Sequence, residues 1–351
     1  DFNIDEIAIN FLFTISLFII FFVGFWFSLP KPLFHTPTSY VIEDEKGMLL
    51  GASIAKDGQW RFPAVNEVPE KFRQCILTFE DKRFYYHPGV DPVAMLRALV
   101  KNLQNKQVIS GGSTISMQVI RLSRKKARTV WQKLKEVILA IRLELSYSKK
   151  DILALYASNA PFGTNVVGLD AASWRYFGRS PEQLSWGEMA TLAILPNAPS
   201  LVHPGKNRDR LVKKRNQLLD KLVAENKIDP STAKLAKLEP IPDKPLPLPQ
   251  LAPHLLNRFK IDFSKLGLNS TRIKTTVHHD LQKSINSLLQ RYHQQFKSNG
   301  INNVAALVLS VETGNALAYV GNVSDPGDPE AEGQVDMIPA SRSPGSTLKP
   351  I

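Results

Sequence analysis

The chain has 351 residues, 43% of them hydrophobic and 22% charged, and carries a formal net charge of +12. Such a composition excludes an intrinsically disordered chain, and the length suffices for two or three domains with sizeable cores. The single cysteine, Cys75, excludes an internal disulfide framework and reads as a small buried apolar residue beside Ile76 and Leu77.

From Ile7 to Leu29 run 23 residues without a charge, dominated by Phe, Ile and Leu. As a helix they cross a hydrocarbon core of about 30 Å. No small-residue cleavage site follows, Trp26 suits the membrane interface, and Pro30 and Pro32 stop the helix. The segment therefore reads as an uncleaved single-pass anchor at 7–29, with a tail at 1–6 and a juxtamembrane stretch at 30–47. Asp5 and Glu6 in the tail give no positive-inside signal. The chain opens on Asp1 instead of Met and closes on Ile351 just after an apparent helix start, so it is expected to be a piece of a longer protein.

Thr38 to Ile54 alternates weakly around Lys46-Gly47, as a short hairpin does. Helical periodicity begins at Val68 and leads into F-E-D-K-R-F-Y-Y-H-P-G-V-D, Phe79 to Asp91. Aromatics beside a carboxylate shield it from water and raise its proton affinity, which makes Glu80 the leading candidate for a general base; the alternative is a solvated acidic pair at a helix end. Pro92 to Leu103 places Val93, Leu96, Leu99, Val100 and Leu103 at helical spacing behind a first-turn proline. Ser110 to Gln118, S-G-G-S-T-I-S-M-Q, is a glycine-rich helix entry, either a cap or an anion site built from free backbone N–H groups.

Thr129 to Leu145 reads as a helix with an apolar stripe of Val130, Leu134, Val137, Ile138, Ile141 and Leu145. Lys133 and Glu136 fall away from that stripe, as a surface ion pair or as a phosphate-binding lysine and a second carboxylate. Helix, glycine-marked loop and helix follow over Lys150 to Gly178, then helices at Leu184 to Leu195 and Leu211 to Val223, giving one mostly α-helical domain over 48–226. Between Lys101 and Lys150, 12 Lys and Arg face two acidic residues, Glu136 and Glu144. That bias implies an anionic partner; beside a membrane anchor, phosphate-bearing lipids are expected and nucleic acid is not. Pro240, Pro242, Pro245, Pro247, Pro249 and Pro253 mark a semi-rigid linker within 227–270. Val304 to Val311 and Ala316 to Val320 read as two strands joined at E-T-G-N.

Five ordered stretches resemble the peptidoglycan glycosyltransferase domain, glycosyltransferase family 51, of class A penicillin-binding proteins. They are E-D-K-R-F-Y-Y-H-P-G, G-G-S-T-I-S-M-Q, Q-K-L-K-E, I-L-A-L-Y-A-S-N-A-P-F-G with A-A-S-W-R-Y-F-G, and A-T-L-A-I-L-P-N-A-P-S. The Ala-Pro-Phe-Gly variant is most similar to the 1C branch of that family. The sequence departs from the family pattern at Gln132, where a basic residue is usual, and at Tyr156-Ala157-Ser158, where Tyr-Leu-Asn is usual.

The resemblance implies a mainly α fold: a single transmembrane helix, a lysozyme-like α-helical glycosyltransferase domain, a linker, and the α/β start of a penicillin-binding transpeptidase domain at 271–351. It implies Glu80 as the base acting on the 4-hydroxyl of acceptor lipid II, and Glu136 as a second catalytic carboxylate. Ser113, Thr114, Gln118 and Lys133 would bind substrate, with Arg121 and Arg128 of the basic stretch as further candidates for the pyrophosphate. No obligatory cofactor is implied, although Glu136 admits a Mg2+ or Mn2+ role. S-P-G-S-T-L-K-P resembles the Ser-x-x-Lys motif, with Ser346 as acyl nucleophile and Lys349 its base. The Ser-x-Asn and Lys-Thr-Gly motifs that complete such a site do not follow Ser346 in these residues, so β-lactams are expected as partners only of a complete transpeptidase domain. Lipid II, the growing glycan, membrane lipids and cell-wall synthesis proteins are the implied partners, at the outer face of a bacterial inner membrane. A glycan-cleaving enzyme of lysozyme-like fold and a silent anchored scaffold are the competing readings; the first needs no pyrophosphate clamp, so the basic bias favours synthesis.

Overall fold

The computed structural model describes residues 4–105, 111–124, 126, 129–163, 165–197, 207–267, 270–323 and 332–341. They divide into two compact units, one of 1–36, 64–173 and 181–244, the other of 37–63, 174–180 and 245–351. In chain order the helices are α1 (Ile4–Trp26), α2 (Glu70–Glu80), α3 (Pro92–Asn105), α4 (Ile115–Arg124), α5 (Val130–Glu144), α6 (Lys149–Asn159), α7 (Leu169–Phe177), α8 (Trp186–Ile194), α9 (Arg208–Ala224), α10 (Pro230–Leu238), α11 (Pro253–Leu266) and α12 (His279–Lys297). The strands are β1 (Val41–Glu43), β2 (Leu49–Ala52), β3 (Trp60–Arg61), β4 (Val166–Val167), β5 (Arg272–Lys274), β6 (Val304–Leu309) and β7 (Ala316–Val323). The chain is thus mainly α, as its periodicity predicts.

The first unit is a helical cluster whose boundaries are set by local chemistry. Ser148 and Asp151 form a reciprocal capping box on α6, and Ser185 and Glu188 form another on α8. Asp229 caps α10 just before Pro230, and Thr129 accepts from the Gln132 N–H at the start of α5. Helix α2 packs on α8 and α9, and α4 on α5 and α6. Phe72, Ile76, Phe84, Ile115, Met117, Ile120, Phe162 and Met189 are fully buried among them. Each such side chain withdraws from water with a gain of about 1.5–3 kcal/mol, which makes this the rigid body that carries the site. Cys75 is buried here too, and burial pushes its thiol pKa up, so it is a packing residue.

The apolar stripe of α5 does not face the core: Val130 is 90% exposed, and Leu134, Ile138, Ile141 and Leu145 are exposed as well. Leu139, Ala140, Arg142 and Leu143 are buried instead. On α3, Val93, Leu96, Leu99, Val100 and Leu103 are likewise exposed. A periodic stripe reports that a helix has an apolar side, not what covers it.

Helix α1 contains the one span among the described residues, Ile9–Trp26, that is long and apolar enough to cross a membrane. No residue of that span is buried.

In the second unit β2, β1 and β5 form a sheet in that order, β1 antiparallel to β2 and parallel to β5. β6 and β7 form an antiparallel pair with α11 and α12 against it. Ile42, Leu50, Ala252, Leu255, Leu256, Val277 and Tyr319 make its core.

Candidate active site

Glu80 is the last residue of α2, where the helix stops because Asp81 takes up φ −155°. The Glu80 Oε2 accepts a 2.8 Å hydrogen bond from Gln118 Nε2 on α4. Its Oε1 is buried and has no partner among the described residues. Burial raises the carboxyl pKa above its usual value, while the Gln118 bond and the Arg121 charge only partly offset it. A carboxylate held this way keeps one oxygen uncommitted and takes a proton more readily than a solvated glutamate.

The neighbouring Asp81 has a different task. Its carboxylate accepts from the Ile115 N–H at 3.0 Å and from His87 Nε2 at 3.0 and 3.1 Å. Because His87 Nδ1 accepts the Gly89 N–H, the ring's proton lies on Nε2, facing Asp81. Asp81 therefore ties the start of α4 to the turn after α2. That turn is clamped from two sides. Lys149 Nζ donates to the His87 carbonyl at 2.7 Å and lies 4.4 Å from the Phe84 ring centroid. Gly89, at φ +95°, sits so close to α5 that an added Cβ would lie 2.5 Å from the Ala140 carbonyl oxygen. The aromatic shield predicted for Glu80 is partial: Phe84 is buried, whereas Tyr85 and Tyr86 are exposed.

Two chains of polar contacts collect most of the predicted residues. In the first, Arg121 Nη2 lies 3.5 Å from Gln118 Oε1, and Gln118 reaches Glu80. In the second, Lys133 Nζ donates to Ser113 Oγ and lies 3.5 Å from Glu136 Oε2, so α5 presents its cation to the loop before α4. Ser113 and Thr114 line the cleft that also holds Glu80, a space of about 460 Å³. Thr114 is 2% exposed; its hydroxyl donates to the Gly89 carbonyl at 2.6 Å and accepts the Met117 N–H, so it caps α4 while lining the cleft. Arg128, Ser346 and Lys349 lie outside the described residues. In the departing stretch Tyr156-Ala157-Ser158, the hydroxyls of Tyr156 and Ser158 are buried without a hydrogen-bond partner among the described residues.

The sequence reading did not single out as site residues five cations on the walls of this cleft, Lys82 and Arg83 of the first motif, Lys101 of the basic stretch, Arg97 and Lys221. Arg97 and Lys101 stand one turn apart on α3, an i,i+4 basic pair inside an apolar stripe, and that signal was legible. Lys221 arrives from α9 through tertiary packing and left no local trace. With this wall the site can hold an anion beside a proton-hungry carboxylate. Among the described residues no three His, Cys, Asp or Glu side chains converge to hold a metal ion, and Glu136 is paired with Lys133.

A family model described as Transglycosylase matches residues 47–223. The chain is 36% identical over 323 residues to penicillin-binding protein 1C of Escherichia coli K12, covering 92% of this chain and 41% of that protein. It is 31% identical to penicillin-binding protein 1A of Aquifex aeolicus VF5, over 77% of this chain and 39% of that one. With penicillin-binding protein 1F of Bacillus subtilis 168 the identity is 30%, over 89% and 46%. The chain thus spans less than half the length of these relatives.

Proposed function

Because the chain belongs to the transglycosylase family, we propose that it is a peptidoglycan glycosyltransferase that polymerises lipid II, with residues 48–226 carrying the reaction. Glu80 Oε1 takes the proton from the acceptor's 4-hydroxyl as that oxygen attacks the anomeric carbon of the lipid-linked donor. The bond from that carbon to the pyrophosphate breaks with inversion, and the polyprenyl pyrophosphate leaves with the bonding electron pair. Lys133 and Arg121, with Arg128, offset the charge that builds on the leaving group. Ser113, Thr114 and Gln118 shape the floor between base and anion site. The observation that carries this reading is the buried, unpartnered Glu80 oxygen in a cleft walled by five cations.

The apolar α1 and the exposed apolar residues of α3 and α5 support a protein held at the bacterial inner membrane with its catalytic unit on the outer face, where the polyprenyl tail stays in lipid. Ser346 and Lys349 would be nucleophile and base of a separate, β-lactam-sensitive acyl-transfer site, a reading that rests on the motif alone. Incubation of the purified chain with lipid II is the test: glycan polymer supports the proposal, whereas shortening of preformed glycan, or no reaction, overturns it.

A further inference from the structure

The last carbonyls of a helix have no donor of their own, and one at the membrane boundary lacks reliable water. At the end of α1 the Trp26 carbonyl has a donor from far along the chain. Arg142 on α5 gives it two hydrogen bonds, Nε at 3.0 Å and Nη2 at 2.7 Å. The same guanidinium lies 4.4 Å from the Trp26 ring centroid, and its third arm donates to Ser146 Oγ. Arg142 is 4% exposed although Ile138, Ile141 and Leu145 around it on α5 are exposed and apolar. This cation is spent on the anchor and on the turn just after its own helix, which a merely solvated arginine does not do.

Arg142 shares α5 with Lys133, nine residues and about 14 Å of helix axis away. A rigid helix transmits position over that length. We propose that Arg142 is a positioning residue: by locking the end of the membrane helix to α5, it sets the height and tilt of the Lys133–Glu136 pair, which reaches the cleft residue Ser113, relative to the bilayer. This rests on the reading of a lipid-linked substrate, whose reacting phosphates sit at a fixed depth. Misplacement of about 1 Å in such a site costs up to about 100-fold in rate.

The test uses the whole chain in nanodiscs of phosphatidylethanolamine and phosphatidylglycerol. Spin labels at Ser16→Cys on α1 and Val130→Cys on α5, in a Cys75→Ala background, report the distance distribution between anchor and α5. Arg142→Ala is expected to broaden a narrow distribution and to cut turnover of bilayer-held lipid II by about 10-fold to 100-fold. Turnover of a short-chain, detergent-dissolved lipid II analogue and the melting temperature of the catalytic unit should stay close to the parent's, and Arg142→Lys should restore part of the bilayer rate. An unchanged distance distribution, or equal losses on the two substrates, overturns the proposal. If the parent turns over neither substrate, the polymerase reading fails while the distance measurement still decides whether Arg142 holds the anchor.

Discussion

Two glutamates, one lining the cleft and one bonded to Thr78 and Lys82 of its wall, are treated in opposite ways. Glu225, just after α9, receives hydrogen bonds from Thr78 and Lys227 and an ion pair from Lys82. Partial burial pushes its carboxyl pKa up, but those bonds outweigh it and hold it at about 2. Glu80, at the end of α2, has one donor and one bare oxygen, and burial raises its pKa. The first carboxylate is satisfied and holds the wall together; the second is left with one oxygen unbonded, at a cost in stability, as the proposed base requires. Uncompensated burial of this kind marks a working group more sharply than residue type does.

The largest expected effect of breaking this contrast is at Glu80. Glu80→Gln keeps the shape and can still accept from Gln118, yet cannot take a proton, so turnover should fall by at least about 100-fold. Stability should move the other way. A carboxyl whose folded pKa is raised binds its proton more tightly folded than unfolded, so it weakens the fold as pH rises above the ordinary value near 4.5. Thermal melts of Glu80→Gln should therefore show a higher melting temperature than wild type at pH 7, with the gain vanishing below pH 4.5.

Glu225→Gln should show the reverse pattern. Its lowered pKa contributes stability that is fully present above about pH 4.5 and is lost as pH falls through about 2. Loss of the charge should cost about 1–3 kcal/mol at pH 7, measured by urea unfolding, with turnover per folded molecule retained. Parallel losses of turnover in both variants would erase the distinction drawn between them.

The smallest effect is expected at Tyr156, whose buried hydroxyl has no partner and whose pKa is raised by burial and then by the Glu80 charge. Tyr156→Phe removes no hydrogen bond, so the melting temperature should hold or rise slightly and turnover should stay within about threefold. A larger loss of turnover at unchanged melting temperature would assign the hydroxyl to the substrate.

Much of this was legible in the sequence because local chemistry decides it. Thr129 and the first-turn Pro92 place helix starts, and the spacing of Glu80, Gln118, Lys133 and Glu136 carries the family pattern, whereas the stretch 227–270, read as a semi-rigid linker, holds α10 and α11. What was not legible depends on tertiary neighbours. The outward turn of the α5 stripe, the split of Glu80 and Asp81 into a reactive and a structural carboxylate, and the arrival of Lys221 from α9 have no local signature. Asp81 differs from Glu80 only because Ile115 and His87 fold back onto it.

The central claim is that the base is a carboxylate whose proton affinity burial has raised. Its most direct test is the pH dependence of kcat/KM for lipid II polymerisation, with melting temperature followed in parallel. The account predicts an acid limb with a midpoint above 4.5, the ordinary glutamate value, while the protein remains folded. An acid limb at or below 4.5, or a rate that falls only where the protein unfolds, would contradict it.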